Sequence, residues 1–336
     1  MKLFKSLALA FVIGSLLLVI GLGGKVWHWS TSPIPMSAQA VEFTVPKGST
    51  IRTVAETLAK AGLDIEPQLF ILYARYTGQD VQLKAGAYEV TQGMTPVDVL
   101  DKLAKGDMIK RQIALIEGWT YKQIRQALQA NKDIKQTLAD ISDEELLKKL
   151  GSDHTHPEGL FFPETYVFVP GDTDFQILKR AYDEGQTRLM QAWESRDPDT
   201  PLKTPYEALI LASIVEKETG HSQDRDRVAG VFINRLKANM LLQTDPTVIY
   251  GMGDNYKGNI SKKDLQTDTP WNTYTRQGLP PTPIAIPGAL SIQAALHPEK
   301  HGYYYFVARG DGTSEFAENL RKHNQNVQKF ILKRGQ

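Results

Sequence analysis

Cysteine is absent from this chain of 336 residues. Its absence excludes a disulfide framework, a thiolate metal site, an iron–sulfur cluster and a cysteine nucleophile. An excess of one charge is lacking too, because 39 Lys and Arg residues are balanced by 38 Asp and Glu residues, for a formal net charge of +1. With no dense basic run, the chain lacks the electrostatic footprint of a nucleic-acid-binding protein. A neutral or mixed-charge partner is expected.

Several catalytic signatures are also missing. The sequence contains no GxSxG, Walker or Rossmann pattern, which argues against an esterase, an NTPase or a dehydrogenase. The segment HTHPE brings His154, His156 and Glu158 together and could form a metal constellation. No HExxH or other zinc spacing supports that reading, and an exposed polar turn is favoured. We therefore predict neither a metal nor a cofactor.

Charge is missing altogether from residues 6–24, which include the run LALAFVIGSLLLVIGLGG. As a helix these residues span roughly 28 Å, close to the ~30 Å hydrocarbon core of a bilayer. Lys2 and Lys5 precede the run, and only Lys25 follows it before Glu42. The positive-inside rule then places the N-terminus in the cytoplasm and the rest of the chain outside.

The alternative to a membrane anchor is a cleaved signal peptide with its site at the small residues Ala38–Ala40. That site lies about 15 residues beyond the apolar run, too far for ordinary cleavage, so an uncleaved anchor over residues 1–29 is favoured. Trp27 and Trp29 fall where an interfacial aromatic belt is expected. The absence of cysteine rules out a lipoprotein anchor.

The chain length and the composition, 41% hydrophobic and 23% charged, predict two or three folded domains. A polar, Pro-containing tether is expected at residues 30–40. A small domain follows at residues 41–106, in which strand signals flank two helices, the first capped by Ser49. This βααβ order, with the opening VPKGSTIRTVAETLAKAGL, resembles LysM, the small peptidoglycan-binding module. The alternative is a spacer without ligand.

The remainder is predicted as a helical connector, 107–155, and a larger mixed α+β domain, 156–336. Ser142 and Glu145 form a capping box in the connector. The larger domain contains a Pro- and Gly-punctuated loop, 269–288, of a length that is usually functional. A hairpin around Gly-Asp-Gly and an amphipathic helix to Lys333 end the chain. The predicted fold class is therefore α+β with an N-terminal transmembrane helix.

The segment TPYEALILASIVEKETG predicts a helix that Thr204 caps, Pro205 opens and Gly220 closes. Successive residues placed at about 100° put Glu218 inside the apolar arc, between the directions of Ile214 and Leu211. Lys217 points the opposite way, and Glu216 lies toward an edge.

An inward-facing glutamate at the end of a helix has the properties of a general acid. Partial burial and the negative end of the helix dipole both raise the pKa of Glu218. A carboxyl that stays protonated near neutral pH can protonate a glycosidic oxygen. In the alternative interpretations, Glu218 frays into water or pairs with Arg225 or Arg227.

Weaker candidates lie downstream. Gln243 and Asp245 precede Pro246, although Asp245-Pro246 could simply start a helix. Asn272 and Tyr274, with Tyr250 and Trp271, have the amide and aromatic character of a sugar groove, or of ordinary loop packing.

Six segments occur together in a specific order: EGLFFPETY, ASIVEKET, VFINRL, LQTDPTVIYGMG, NTYTRQGLPPTPIAIPG and ALHP…YYYFVA. In these segments the chain resembles the endolytic murein transglycosylase family (MltG, or YceG-like), from about residue 40 to the C-terminus. In that family the second glutamate of the EKET motif is catalytic, and the corresponding residue here is Glu218.

The resemblance implies lytic cleavage of the β-1,4 bond between N-acetylmuramic acid and N-acetylglucosamine within glycan strands, leaving a 1,6-anhydro end and limiting nascent strand length. Glu218 is then the acid and the base, and Gln243, Asp245, Asn272 and Tyr274 are predicted to bind substrate. The implied location is the bacterial cytoplasmic membrane, with a peptidoglycan synthase as a plausible partner.

Two alternatives stay open. A hydrolase needs a second carboxylate, for which the sequence offers Asp224, Asp226, Asp245 and Asp268. A non-catalytic, membrane-anchored scaffold would bind peptidoglycan and recruit wall synthases without cutting it.

Overall fold

The computed structural model of the protein describes residues 2–219 and 222–332. The chain divides into two compact units, one formed by Met1–Arg111 with Val167–Asp172 and the other by Gln112–Tyr166 with Thr173–Gln336. The predicted mixture of helices and strands is confirmed. Two helices were predicted to end at Gly220 and Lys333, and both residues lie outside the described part of the chain.

Up to residue 111, the described part of the first unit contains four α-helices and one pair of strands. In chain order they are α1 (Lys2–Thr31), β1 (Ala40–Val45), α2 (Ile51–Lys60), α3 (Pro67–Thr77), β2 (Gly86–Thr91) and α4 (Pro96–Lys105). The order β1-α2-α3-β2 is the predicted βααβ layout. β1 and β2 are antiparallel, with Ala40 opposite Thr91 and Val45 opposite Gly86.

Local sequence explains where these elements begin and end. Phe43 and Val45 alternate along β1 and are buried. The N-cap of α2 is Thr50, not the predicted Ser49, because the Thr50 hydroxyl accepts the N–H of Thr53. The Ser49 hydroxyl instead donates to the carbonyl of Pro46 in the preceding turn.

Helix α1 is long and apolar enough over Phe11–Thr31 to cross a membrane. Its last turns belong to the first unit, because Trp29 is only 7% exposed and its indole N–H donates to the carbonyl of Ile65. Trp29 is therefore a core residue, unlike Trp27, which is 71% exposed. In the segment expected to be a tether, Ile34 is buried and its N–H donates to the carbonyl of Met94.

The second unit is mostly helical. In chain order the elements after α4 are β3 (Arg111–Ala114), α5 (Tyr121–Ala130), α6 (Asp143–Leu150), β4 (Thr165–Phe168), α7 (Asp174–Glu194), α8 (Pro205–Glu218), α9 (Arg225–Lys237), α10 (Asp245–Met252), α11 (Lys262–Gln266), α12 (Ala289–Leu296), β5 (Tyr305–Ala308), β6 (Ser314–Ala317) and α13 (Leu320–Phe330). β3 pairs with β4, and β5 with β6. α8 packs against α12, α9 and α7, which places it at the centre of the unit.

Several predicted helix ends are confirmed. The Thr204 hydroxyl accepts the N–H of Glu207, and Pro205 is the first residue of α8. Ser142 and Glu145 form the reciprocal capping box that starts α6. The hairpin of β5 and β6 encloses the predicted Gly-Asp-Gly turn.

Candidate active site

The candidate site lies at the C-terminal end of α8. Every residue from Ala208 to Val215 is buried, so the helix is enclosed around its whole circumference over these two turns. Glu218 is the last helical residue, and Thr219 caps the end by donating its N–H to the carbonyl of Val215. α8 therefore fixes Glu218 where the packed interior gives way to an open cavity.

Glu218 is partly buried, and its closest polar partner is Thr244. The Thr244 hydroxyl donates a short hydrogen bond to Oε1 of Glu218, and Thr244 itself is 2% exposed. Burial raises the pKa of Glu218 above its usual value, the hydrogen bond from Thr244 lowers it, and repulsion by the charge of Asp245 raises it further. Burial has the largest effect, so the pKa is raised overall, which is the direction that a general acid needs.

Glu218 opens into a cavity of about 360 Å³. The cavity is built from the ends of α8 and α9, the start of α10 and the loop before it, the β5 strand and the first turn of α13. Its lining residues are Glu218, Phe232, Arg235, Leu242, Gln243, Asp245, Tyr274, Tyr305, Phe306, Leu320 and His323. The mixture of two acids, Glu218 and Asp245, with aromatic rings and exposed polar groups suits a sugar, which presents both hydroxyls and apolar faces.

Three of the predicted substrate-binding residues line this cavity. Gln243 has a left-handed backbone (φ 51°), and Oε1 of its side chain accepts from Arg235. Asp245 is the first residue of α10 and accepts a hydrogen bond of 2.6 Å from the Tyr274 hydroxyl. Burial, followed by the hydrogen bond to Asp245, raises the pKa of Tyr274. Gln243, Asp245 and Tyr274 are thus brought to the same cavity as Glu218.

Asn272, the fourth predicted residue, is placed differently. It is fully buried, and its Nδ2 donates to the carbonyls of Asp264, Leu265 and Thr267. Its Oδ1 accepts the N–H of Tyr274 at 2.8 Å. Both polar atoms of the side chain are engaged with backbone, so Asn272 holds the loop that presents Tyr274 and is not among the cavity-lining residues.

Arg235 organises the cavity wall and was not singled out by the sequence analysis. It is 7% exposed, and its Nη1 donates to the carbonyls of Leu241 and Leu242 and to Gln243. Its Nε donates to the carbonyl of Tyr304 at 2.7 Å. Arg235 lies in the VFINRL segment, one of the six segments that carry the family resemblance, so the sequence did mark its position. Nothing in the sequence identified its hydrogen-bond acceptors.

Two of the other candidate carboxylates, Asp224 and Asp268, are engaged away from the cavity. Asp224 is buried and accepts the N–H of Ser314. Asp268 is paired with Arg276 and Thr275, and these hydrogen bonds lower its pKa to about 2. Of the four carboxylates that the sequence offered, only Asp245 lines the described cavity with Glu218.

Of the two proposed arginine partners of Glu218, one is engaged elsewhere. Arg227 pairs with Glu299 at 2.9 Å. The buried Nε of Arg225 makes no hydrogen bond within the described part of the chain. The interpretation in which an arginine neutralises Glu218 therefore finds no support in the geometry.

Glu216, the first glutamate of the EKET segment, faces another helix. Its Oε2 accepts the N–H of Gly288 at 3.0 Å and the hydroxyl of Ser291 at 2.7 Å. Gly288 is the N-cap of α12 and Ser291 is fully buried in its first turn. Two glutamates that lie two residues apart on one helix thus have separate tasks, one in the cavity and one at a helix N-terminus.

Glu158 corrects the expectation of an exposed polar turn at HTHPE. Its side chain is 3% exposed, with Oε1 accepting the N–H of Tyr121 and Oε2 accepting the hydroxyl of Tyr250. Burial raises its pKa to about 7. His154 stacks on Tyr206 with ring centroids 4.2 Å apart. Within residues 2–219 and 222–332, no group of three potential metal ligands converges.

Tyr250 and Trp271 pack beside this buried acid. Their ring centroids are 5.4 Å apart in an edge arrangement, and the indole N–H of Trp271 donates to the Thr282 hydroxyl. Neither residue is among those that line the cavity around Glu218. Of the aromatic residues that the sequence offered for a sugar groove, only Tyr274 lies in that cavity.

Fold and site together define a mixed α/β protein in which one helix-terminal carboxyl opens into an aromatic-lined cavity. Residues 43–329 match the sequence profile of the YceG-like family, and the chain belongs to that family.

Two kinds of relative support this assignment. The endolytic murein transglycosylase of Bacillus subtilis (strain 168) is 33% identical over 317 residues, which cover 89% of this chain and 87% of the relative. The endolytic murein transglycosylase of Streptococcus pneumoniae serotype 2 is 29% identical over 366 residues, covering 96% of this chain but 65% of the longer pneumococcal protein. A crystal structure of a yceG-like protein from Listeria monocytogenes superposes with a TM-score of 0.54 at 29% identity, covering 85% of this chain and 98% of that one.

Proposed function

We propose that this protein is an endolytic peptidoglycan lytic transglycosylase with Glu218 as its catalytic acid and base. The observation that carries the proposal is the environment of Glu218, a glutamate whose pKa is raised by burial and which opens into a cavity of about 360 Å³. The B. subtilis and S. pneumoniae relatives, which bear the name endolytic murein transglycosylase, supply the reaction and the substrate.

The reaction needs few protein groups. Protonated Glu218 donates its proton to the oxygen of the β-1,4 bond as that bond breaks, and the leaving N-acetylglucosamine departs with a new hydroxyl. The resulting carboxylate then takes the proton of the 6-hydroxyl of N-acetylmuramic acid, whose oxygen attacks its own anomeric carbon and closes the 1,6-anhydro ring. Because the nucleophile belongs to the sugar, positioning supplies much of the rate and no activated water is needed.

Gln243, Asp245 and Tyr274 are proposed to bind the sugar beside Glu218. Asp245 has a second effect, since its charge raises the pKa of Glu218 and favours the proton donor. The hydrogen bond from Tyr274 fixes the carboxylate of Asp245 in place. For Asn272 we propose a positioning role, through the backbone of Tyr274.

The enzyme is proposed to work outside the bacterial cytoplasmic membrane, with α1 as a single-pass anchor and its N-terminus in the cytoplasm. The apolar stretch Phe11–Thr31 supports an anchor, and Lys2 and Lys5 support the orientation. The βααβ layout of the first unit is the basis for a LysM-like glycan-binding role. A peptidoglycan synthase is the proposed protein partner.

The test is incubation of the full chain, in detergent or lipid nanodiscs, with purified sacculi and with uncrosslinked glycan strands. Mass spectrometry should find 1,6-anhydro ends on the released fragments. The fragment lengths should show that cuts occur inside strands as well as near strand termini. Hydrated reducing ends would identify a hydrolase and overturn the lytic assignment. Binding without release of fragments would favour the scaffold.

The role of Glu218 is tested by a pair of neighbouring substitutions. Glu218→Gln should reduce cleavage by about 100- to 10,000-fold, the usual loss when a general acid is removed, while the protein stays folded. Glu216→Gln is the matched control and should keep most of the activity, because an amide oxygen can still accept from Gly288 and Ser291. Equal losses in both variants would remove Glu218 from its assigned role.

A further inference from the structure

The first unit carries an apolar surface that no described part of this chain covers. It is formed by the outer side of α3 and the last turns of α1, around a cavity of about 280 Å³. The residues lining it are Val26, Trp29, Leu69, Leu72, Tyr73 and Tyr76. Leu72 is 63% exposed and Tyr76 is 89% exposed. We refer to these six residues as the α3 surface.

The sequence of α3 provides apolar residues for two sides of one helix. Phe70 and Ala74, four residues apart, are fully buried in the core of the unit. Leu69, Leu72, Tyr73 and Tyr76 follow the i, i+3, i+4, i+7 spacing of a second stripe, in which Leu69 and Tyr73 also pack against the core and Leu72 and Tyr76 are exposed. A helix at the surface of a soluble domain needs only the first stripe, so the second one indicates an interaction surface.

The position of this surface relative to α1 identifies what covers it. Trp29 joins α1 to α3 by its ring contact with Tyr73, whose centroid lies 5.5 Å away, and to the segment just before α3 by its hydrogen bond of 2.9 Å to Ile65. Lys25, the first charge after the apolar run, pairs with Glu66 at the N-cap of α3 at 2.9 Å. The start of α3 is therefore fixed within a turn or so of the point at which the anchor leaves the hydrocarbon.

The chemistry of the surface suits that depth. Each headgroup region is only about 5–8 Å thick, so an α1 that spans the bilayer brings the start of α3, held beside Lys25, to this region or its edge. Tyrosine and tryptophan have an apolar body and a polar tip and are enriched at this boundary. Tyr76 and the exposed Trp27 are such residues. Arg75, on the neighbouring exposed side of α3, can extend its guanidinium toward phosphate groups.

We propose that the α3 surface lies in the outer boundary of the lipid bilayer, with acyl chains against Leu72 and Tyr76. The inference rests on the proposal that α1 crosses the membrane. It adds that the first unit rests on the bilayer by a second, interfacial contact, as amphipathic helices do. The unit then has a fixed orientation to the membrane instead of turning freely on a tether.

Spin labels test the contact, and the absence of cysteine makes every single-cysteine variant uniquely labelled. Full-length Leu72→Cys and Tyr76→Cys are labelled with a nitroxide in nanodiscs of phosphatidylethanolamine and phosphatidylglycerol. Ala59→Cys, at an exposed position of α2 outside the α3 surface, is the matched control. The ratio of collision with oxygen to collision with a water-soluble nickel chelate should be severalfold higher at 72 and 76 than at 59.

A label at Leu17→Cys, in the middle of the apolar run, separates this inference from the proposed anchor. If position 17 is in lipid while 72 and 76 match position 59, the bilayer contact is overturned and the anchor stands. If position 17 is also in water, both are overturned. Spectral broadening at 72 that disappears on dilution with unlabelled protein would mean that a second copy covers the surface, which also overturns the bilayer contact.

Discussion

The pKa of Glu218 is raised by some of its surroundings and lowered by others, and substitutions can separate these effects. Burial and the charge of Asp245 raise its pKa, and the hydrogen bond from Thr244 lowers it. A general acid must be protonated, so the alkaline limb of the kcat/KM profile follows the pKa of Glu218 in the free enzyme. The two neighbours should therefore move that limb in opposite directions.

Asp245→Asn removes the repelling charge and keeps an acceptor for the Tyr274 hydroxyl. The pKa of Glu218 falls, and the alkaline limb should shift to lower pH. Thr244→Val removes the hydrogen bond that stabilises the carboxylate, so the limb should shift to higher pH. Rates of glycan cleavage across the pH range give both results, and shifts of the same sign in the two variants would contradict the assignment.

Glu158 makes stability depend on pH. Its pKa is about 7 in the folded protein and near 4.5 when unfolded, so the folded state keeps a proton that the unfolded state has lost over this range. Stability attributable to this group is therefore present below about pH 4.5 and declines as the pH rises to about 7, by about 3 kcal/mol in all.

Glu158→Gln tests that linkage, because an amide resembles the protonated acid. Urea unfolding at about pH 5 and at about pH 8 gives the free energy of unfolding that is lost between the two pH values. This loss should be smaller in the variant than in the parent protein. Glu164→Gln, at an exposed position of the same EGLFFPETY segment, is the control and should keep the parent difference. An unchanged difference in Glu158→Gln would mean that the carboxyl is not kept protonated by burial.

At the scale of elements, Glu216 acts as a cap supplied by one helix to another. Its carboxylate lies at the N-terminus of α12, where it accepts from Gly288 and Ser291 and interacts favourably with the helix dipole. This contact attaches the end of α8 to α12. Geometry at Glu218, two residues further on, depends on the same helix end.

Glu216→Ala should lower the free energy of unfolding by about 2–3 kcal/mol, because it leaves the buried hydroxyl of Ser291 without its acceptor. Ser291→Ala removes only one donor and should cost about 1 kcal/mol. Chemical denaturation measures both. The pH profile of cleavage should keep its shape in each variant, whereas a displaced alkaline limb in Glu216→Ala would mean that Glu216 acts on the chemistry directly.

Sequence predicts elements better than it predicts which elements meet. The start of α8 at Thr204 and Pro205 could be predicted because a helix cap depends on neighbouring residues in the sequence. The helical projection separated Glu218 from Glu216 only weakly, because α8 is buried on all sides over 208–215 and both glutamates are partly buried. What distinguishes them is the partner that each one meets, Thr244 or Ser291.

The rest of the site comes from long-range packing. Tyr305 and His323 reach the cavity from β5 and α13, far along the chain from Glu218. The burial of Glu158 depends on Tyr121 and Tyr250, which lie 37 and 92 residues away from it. Sequence periodicity does not predict contacts between residues so far apart in the chain. The carboxyl of Glu218 was therefore predicted, and most of the cavity around it was not.

At the scale of the molecule, the anchor and the first unit share residues. α1 continues to Thr31, and Trp29 and Ile34 are part of the buried cluster that contains Phe43, Leu58 and Phe70. The anchor helix is therefore a structural element of the first unit in addition to its proposed role in the membrane. An N-terminal truncation that removes the anchor should therefore leave the first unit folded or unfolded according to the residue at which the chain is cut.

Removal of residues 2–24 keeps Trp29 and should leave the first unit folded, whereas removal of residues 2–31 should destabilise it. Loss of a buried Trp side chain costs about 3–5 kcal/mol, a large fraction of the stability of a domain. Hydrogen exchange, read by mass spectrometry, should show faster exchange in β1 and β2 of the shorter protein, with α8 and α12 unaffected. Trp29→Ala in the longer protein should reproduce the effect, because it removes the same side chain while the helix end remains. Equal protection of β1 in all three proteins would mean that the first unit is stable without the end of α1.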